Sequence, residues 1–175
     1  LRVNPANNKS CSVAIKSGYA VLWDIGEKNF KPIYPDLEGP VNCVAFSNDG
    51  SRLALGIGFY PLHGALWGTR GDEAGVEIWR IDEEEPALEA STKLPGVCTD
   101  CIAWDRNDYE IACVTGSLYQ KQGFLIRLNA GYLSPVKFIE TEGVMARNIE
   151  YEYFEDQDSP ERLVVGYGRG LLNSY

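Results

Sequence analysis

The feature that most constrains this chain is an internal repeat, since a repeated unit of this size dictates the architecture of everything around it. Val41-Asn42-Cys43-Val44-Ala45-Phe46-Ser47-Asn48-Asp49-Gly50-Ser51-Arg52-Leu53-Ala54-Leu55-Gly56 aligns without a gap on Thr99-Asp100-Cys101-Ile102-Ala103-Trp104-Asp105-Arg106-Asn107-Asp108-Tyr109-Glu110-Ile111-Ala112-Cys113-Val114. Each copy is an alternating apolar run, a polar turn and a second short apolar run. That pattern predicts two antiparallel strands joined by a tight hairpin.

A third strand follows each pair: Tyr19–Ile25, Gly75–Ile81 and, more loosely, Gly123–Asn129. Fourth strands are expected at about 29–34, 87–93 and 135–140. Trp23 and Trp79 are 56 residues apart, and Cys43 and Cys101 are 58 apart. These spacings exceed the ~40–45 residues of a four-stranded propeller unit, and in one unit the surplus sits between Phe59 and Ala74. Another unit starts near Ala146, where Ile149, Tyr151 and Tyr153 alternate. No stretch carries the i, i+3, i+4 apolar spacing of a helix. The expected fold is all-β: one domain over 1–175, built of units of four antiparallel strands at about 1–38, 39–94, 95–141 and 142–175, the first nearly complete and the last cut short.

Trp23-Asp24 closing a third strand, Trp79-Arg80 in the equivalent place, and Val44-Ala45-Phe46-Ser47-Asn48-Asp49-Gly50 resemble the WD-repeat β-propellers. The resemblance covers nearly the whole chain and implies blades of four antiparallel strands stacked radially, each covering its neighbour's apolar face. It departs from the family in lacking the Gly-His pair that opens many repeats and in having Arg80 where Asp24 stands in the other unit. The family's Asp-His-Ser/Thr-Trp network is therefore not expected. Packing by Trp23, Trp79, Phe46 and Trp104 between blades is expected in its place. Four units are too few to close a ring alone. The preferred expectation is that two half-propellers pair as a homodimer; a piece of a longer propeller is the alternative.

Composition narrows the function. The chain of 175 residues has 16 Lys and Arg against 25 Asp and Glu, a formal charge of −9. Such a balance argues against nucleic acid, whose phosphates need clustered cations. No apolar run approaches the length of a membrane span, so neither partner class is expected. The sequence opens Leu1-Arg2-Val3 without Met, which reads as a mature product or a fragment. The five cysteines cannot all pair internally, and free thiols point to a reducing, cytoplasmic setting.

Sites for chemistry are sparse. His63 is the one histidine, so at most one His-based triad is conceivable, and no nucleophile-elbow sequence accompanies it. Cys98-Thr99-Asp100-Cys101 has C-x-x-C spacing, but no second pair completes a zinc site. Asp82-Glu83-Glu84-Glu85 reads as a solvated turn. Glu155–Glu161 carries alternating carboxylates but has Pro160 and no central Gly for a calcium loop. Gly166-Tyr167-Gly168-Arg169-Gly170 lacks the continuation of a phosphate-binding loop. No catalytic residue, metal or cofactor is expected. Phe59, Tyr60, Leu62, Trp67 and Arg70, in the long insertion, have the residue types of interface hot spots and form the candidate interaction surface. The expected function is a non-enzymatic protein-interaction scaffold. A propeller-type metal-dependent hydrolase or lactonase is the alternative, with Asn42, Asp100 and Asn148 at comparable pre-strand positions.

Overall fold

A computed structural model describes residues 1–7, 9–14, 18–59, 74–116, 122–142, 146–153, 162–167 and 172–175. The chain is all-β, with no helix among the described residues. Its first sheet contains β1 (Arg2–Val3), β2 (Lys9–Ala14), β3 (Tyr19–Asp24) and β4 (Asn29–Ile33). The second contains β5 (Val41–Phe46), β6 (Arg52–Ile57), β7 (Ala74–Arg80) and β8 (Ala87–Leu94). The third contains β9 (Cys98–Trp104), β10 (Glu110–Gly116), β11 (Gln122–Asn129) and β12 (Pro135–Glu142). The last contains β13 (Ala146–Glu152), β14 (Arg162–Tyr167) and β15 (Leu172–Ser174). Within each sheet the strands lie in chain order and pair antiparallel. The sheets do not close into a barrel or ring.

The two aligned segments form equivalent hairpins. Val44 pairs with Leu55 and Phe46 with Leu53 in the second sheet; Ile102 pairs with Cys113 and Trp104 with Ile111 in the third. Alternation along each strand gives each central sheet two buried faces, as stacking between neighbours requires. The seam between sheets one and two contains Ala20, Leu22 and Ile33 against Val44, Phe46, Leu53, Leu55 and Ile57. The next contains Ala45, Ala54, Val76 and Ile78 against Ile102, Trp104, Ile111, Ile126 and Leu128. The last contains Cys101, Ala112, Val114 and Leu125 against Ile149, Leu163 and Val165, with Ala103 and Tyr151 beside them. At all three seams the later sheet contributes an aromatic from the end of its first strand: Phe46, Trp104 and Tyr151. The earlier sheet meets it with an alanine-bearing face.

The Phe59–Ala74 insertion is why the second unit is long, yet its blade is regular: Arg52 pairs with Arg80 and Ile57 with Gly75 on either side of it. Inner strands of the first and last sheets also approach one another. Arg2 of β1 donates to Asn148 Oδ1 of β13 at 3.2 Å, so the array curves about an axis.

Candidate functional site

Polar contacts join the sheets at their turns. Asn4, buried beside β1, donates through Nδ2 to the Gly50 carbonyl at 2.9 Å, joining the first sheet to the β5–β6 turn. That turn bonds to the β9–β10 turn in the same sense. The buried Asp108 carboxylate accepts the Asn48 backbone amide, its side-chain amide and the Asp49 amide, at 2.8, 2.8 and 3.0 Å. Asp108 has φ 60°, a left-handed conformation that Asp tolerates better than most residues. Arg52 reinforces the joint by donating to the Asp108 carbonyl at 2.8 Å while its guanidinium lies 4.7 Å from the Trp104 ring centroid. Trp104 Nε1 donates to the Ala45 carbonyl at 2.9 Å.

Glu77 is fully buried on β7. One oxygen accepts the Leu37 amide at 2.7 Å and the other accepts Trp79 Nε1 at 2.8 Å. The carboxylate thus ties the connector between sheets one and two to the second sheet and sets the orientation of Trp79. Burial pushes its pKa above the ordinary glutamate value, opposed by the hydrogen bonds from Leu37, Trp79 and Asp36. The sequence reading missed this residue, since a glutamate in an alternating strand suggests a solvent-facing position. The available signal was phase: Glu77 lies two residues from Trp79 and shares its face.

Of the candidate surface, Phe59 is described, and it is 45% exposed. Tyr60, Leu62, Trp67 and Arg70 lie outside the described residues, as does His63. The base from which this insertion leaves is tightly held. Gly58 donates to the Pro40 carbonyl at 3.2 Å, and Asn42 Nδ2 donates to the Gly58 carbonyl at 2.8 Å. Gly58 also bridges Cys98 in the next sheet, and Ala74 at the returning end donates to the Gly96 carbonyl at 2.9 Å. Gly58 has φ 140°, and a Cβ there would collide with the Val97 carbonyl, so this crossing between sheets requires glycine.

Trp79, Phe46 and Trp104 lie at seams, with Phe46 and Trp104 buried and Trp79 half-buried. Trp23 stands elsewhere. It is 44% exposed on the side of β3 that faces away from the second sheet.

Asn42, Asp100 and Asn148, expected just before strands, lie inside β5, β9 and β13, because pairing with the neighbouring strand already begins at Val41, Cys98 and Ala146, and their side chains are engaged structurally. Asn42 holds Gly58, Asp100 Oδ1 accepts the Cys98 thiol at 3.1 Å, and Asn148 accepts from Arg2 and donates to Glu150 at 3.0 Å. No group of three or more His, Cys, Asp or Glu able to hold a metal occurs among the described residues. Cys43, Cys101 and Cys113 are free thiols. Burial raises the Cys43 thiol pKa, and the neighbouring Cys101, Cys113 and Asp100 add to it. Burial and Asp100 push Cys101 up to about 12, and burial raises Cys113 as well. A redox-active C-x-x-C needs a lowered thiol pKa; Cys101 sits in the opposite environment.

Of the acidic turn, Glu83 pairs with Arg80 at 2.9 Å, both side chains being largely solvated. It also borders a groove of about 270 Å³ between the first two sheets, floored by Leu22 and Ile81 and rimmed by Asp24, Glu27 and Lys31. The 155–160 carboxylates and Gly168–Gly170 lie outside the described residues.

Fold and contacts together define an all-β protein of antiparallel sheets stacked face to face around a curved inner edge. No family model matches the chain, and no curated protein matches it.

Proposed function

We propose that the chain is a WD-repeat-like propeller segment serving as a non-enzymatic scaffold for a protein partner, with the 59–73 insertion as its recognition element. The observation that carries this reading is the fixed base of the insertion. Gly58 and Ala74 are each hydrogen-bonded to a neighbouring connector, and Gly58 is bridged to the next sheet. A long loop leaving from a rigid platform loses less conformational entropy when it binds, because its ends are already fixed. Phe59 begins the loop half-exposed, and Trp67 and Arg70 in it are side chains that dominate binding energy at protein interfaces.

Cross-linking mass spectrometry on partner complexes captured from cell extract tests the assignment. Cross-links are expected within 59–73, and Trp67→Ala with Arg70→Ala is expected to reduce capture by about tenfold or more. Cross-links confined to other surfaces, with capture unchanged in the double variant, would overturn it.

A further inference from the structure

The groove between the first two sheets lies beyond the end of β7, at the opposite edge from the 59–73 insertion, which returns to β7 at Ala74. The repeat explains why the seam is open there. Ser51 aligns with Tyr109, and each carbonyl accepts one backbone amide, from Ile81 in the second sheet and from Ala130 in the third, both at 2.8 Å. Ile81 and Ala130 are therefore equivalent, and so are Glu84 and Leu133, three residues further on. At the second seam Leu133, with φ 50°, is buried in the shared core beside Ala130. At the first seam Glu84 stays in solvent. The groove is left with an apolar floor of Leu22 from one sheet and Ile81 from the other, both buried.

The rim is unevenly charged. Asp24, Glu27 and Glu83 line the groove together with Lys31. The two turns that flank it, 24–31 and 80–86, carry six carboxylates against three cations. Counting Lys9, the register partner of Asp24, still leaves carboxylates in excess. Asp24 gives Oδ1 to the Gly26 and Glu27 amides. Glu83 is held by Arg80 in a solvated pair, which a second guanidinium can join or replace at little cost.

We propose that this groove takes an arginine side chain from an extended segment of a partner protein. The stem lies on Leu22 and Ile81, an apolar floor that suits the aliphatic part of a charged side chain. The guanidinium faces Asp24, Glu27 and Glu83, and its fixed fork of donors serves more than one carboxylate at once. An uncharged aliphatic side chain would cover the floor but leave the excess charge of the rim unanswered. The site is a second contact, independent of the loop at 59–73.

Titration of the nitrogen-15-labelled chain with the blocked pentapeptide Ser-Gly-Arg-Gly-Ser, followed by amide shifts, tests it. Shifts are expected within 22–31 and 81–86, with a Kd of about 1 mM, as suits a single small contact. The same peptide with citrulline keeps the shape without the charge and is expected to bind at least about tenfold more weakly. Glu27→Gln with Glu83→Gln, both exposed side chains, is expected to weaken the arginine peptide about tenfold. Glu38→Gln with Glu150→Gln changes the net charge equally at exposed sites outside the groove and is expected to leave binding unchanged. Equal loss in both pairs would make the attraction one of overall charge, and equal binding of the citrulline peptide would make the groove an apolar site. Shifts confined to other segments would put the peptide elsewhere, and arginine amide binding as tightly as the pentapeptide would make the occupant a small molecule. Each of these overturns the proposal, as does an absence of binding at about 10 mM peptide. All of them leave the loop assignment, read by cross-linking, untouched.

Discussion

The carboxylate of Asp108 accepts both the backbone and the side-chain N–H groups of Asn48, each at 2.8 Å, across the seam between the second and third sheets. Hydrogen bonds to a charged group contribute about 1.5–3 kcal/mol, and removing this acceptor orphans several donors at once. Asp108→Ala is expected to lower unfolding free energy by about 2–4 kcal/mol. Asp108→Asn, which keeps one acceptor and tolerates the left-handed backbone, is expected to lose about half as much. Urea denaturation of the three proteins gives the comparison.

Glu77 accepts from two donors, Leu37 N–H and Trp79 Nε1–H. A glutamine there must turn its NH₂ toward one of them, so Glu77→Gln is expected to cost about 1–3 kcal/mol. The pH dependence has a definite sign. With its folded pKa raised above the usual 4.5, Glu77 holds its proton more tightly in the native state. Its contribution is therefore greatest below the unfolded value and declines as pH rises through the folded one. The stability difference between wild type and Glu77→Gln is expected to be larger at pH 4 than at pH 7. A difference that grows with pH would contradict this.

Cys43, Cys101 and Cys113 are held as thiols by burial. At about pH 8 the thiolate is the reactive form and these three have almost none of it. Iodoacetamide is expected to leave them unmodified in the native protein and to label them in denaturant, as peptide mass mapping would show.

Gly58 is expected to tolerate no side chain. With φ at 140° and the Val97 carbonyl in the place of a Cβ, Gly58→Ala is expected to cost about 2–4 kcal/mol. Because Gly58 anchors the insertion, the same change is expected to weaken partner capture even in folded protein. Capture that remains unchanged at reduced stability would separate the loop from its anchor.

Much of the fold was legible because its signal is local. Val41–Gly56 and Thr99–Val114 carry period-two alternation around a polar turn, and this places β5–β6 and β9–β10 within a residue or two. The start of β2 at Lys9 is not legible, because the polar Lys9 and Ser10 give no apolar alternation. What joins the sheets was not legible. Asp108 looks like any turn aspartate until Asn48, 60 residues away, is brought against it. Glu77 looks solvated until the 34–40 connector covers it. Trp23 and Trp79 share a motif, yet one is exposed and the other packed, because exposure depends on which sheet lies beyond each strand. Of the candidate surface, Phe59 lies among the described residues, and the 59–73 insertion has no counterpart in the aligned repeat from which its role could be read in the sequence.

The alternation of faces has a consequence for how the molecule comes apart. Every internal layer is half of two different cores, so no sheet can leave without stripping its neighbours, while an end layer is held from one side alone. Amide protection should therefore form a gradient along the chain, highest in β6, β7, β10 and β11 and falling toward β2–β4 and β13–β15. A partner covering one end layer would level that gradient at that end only, so a proton-exchange map would show from which side the array is held.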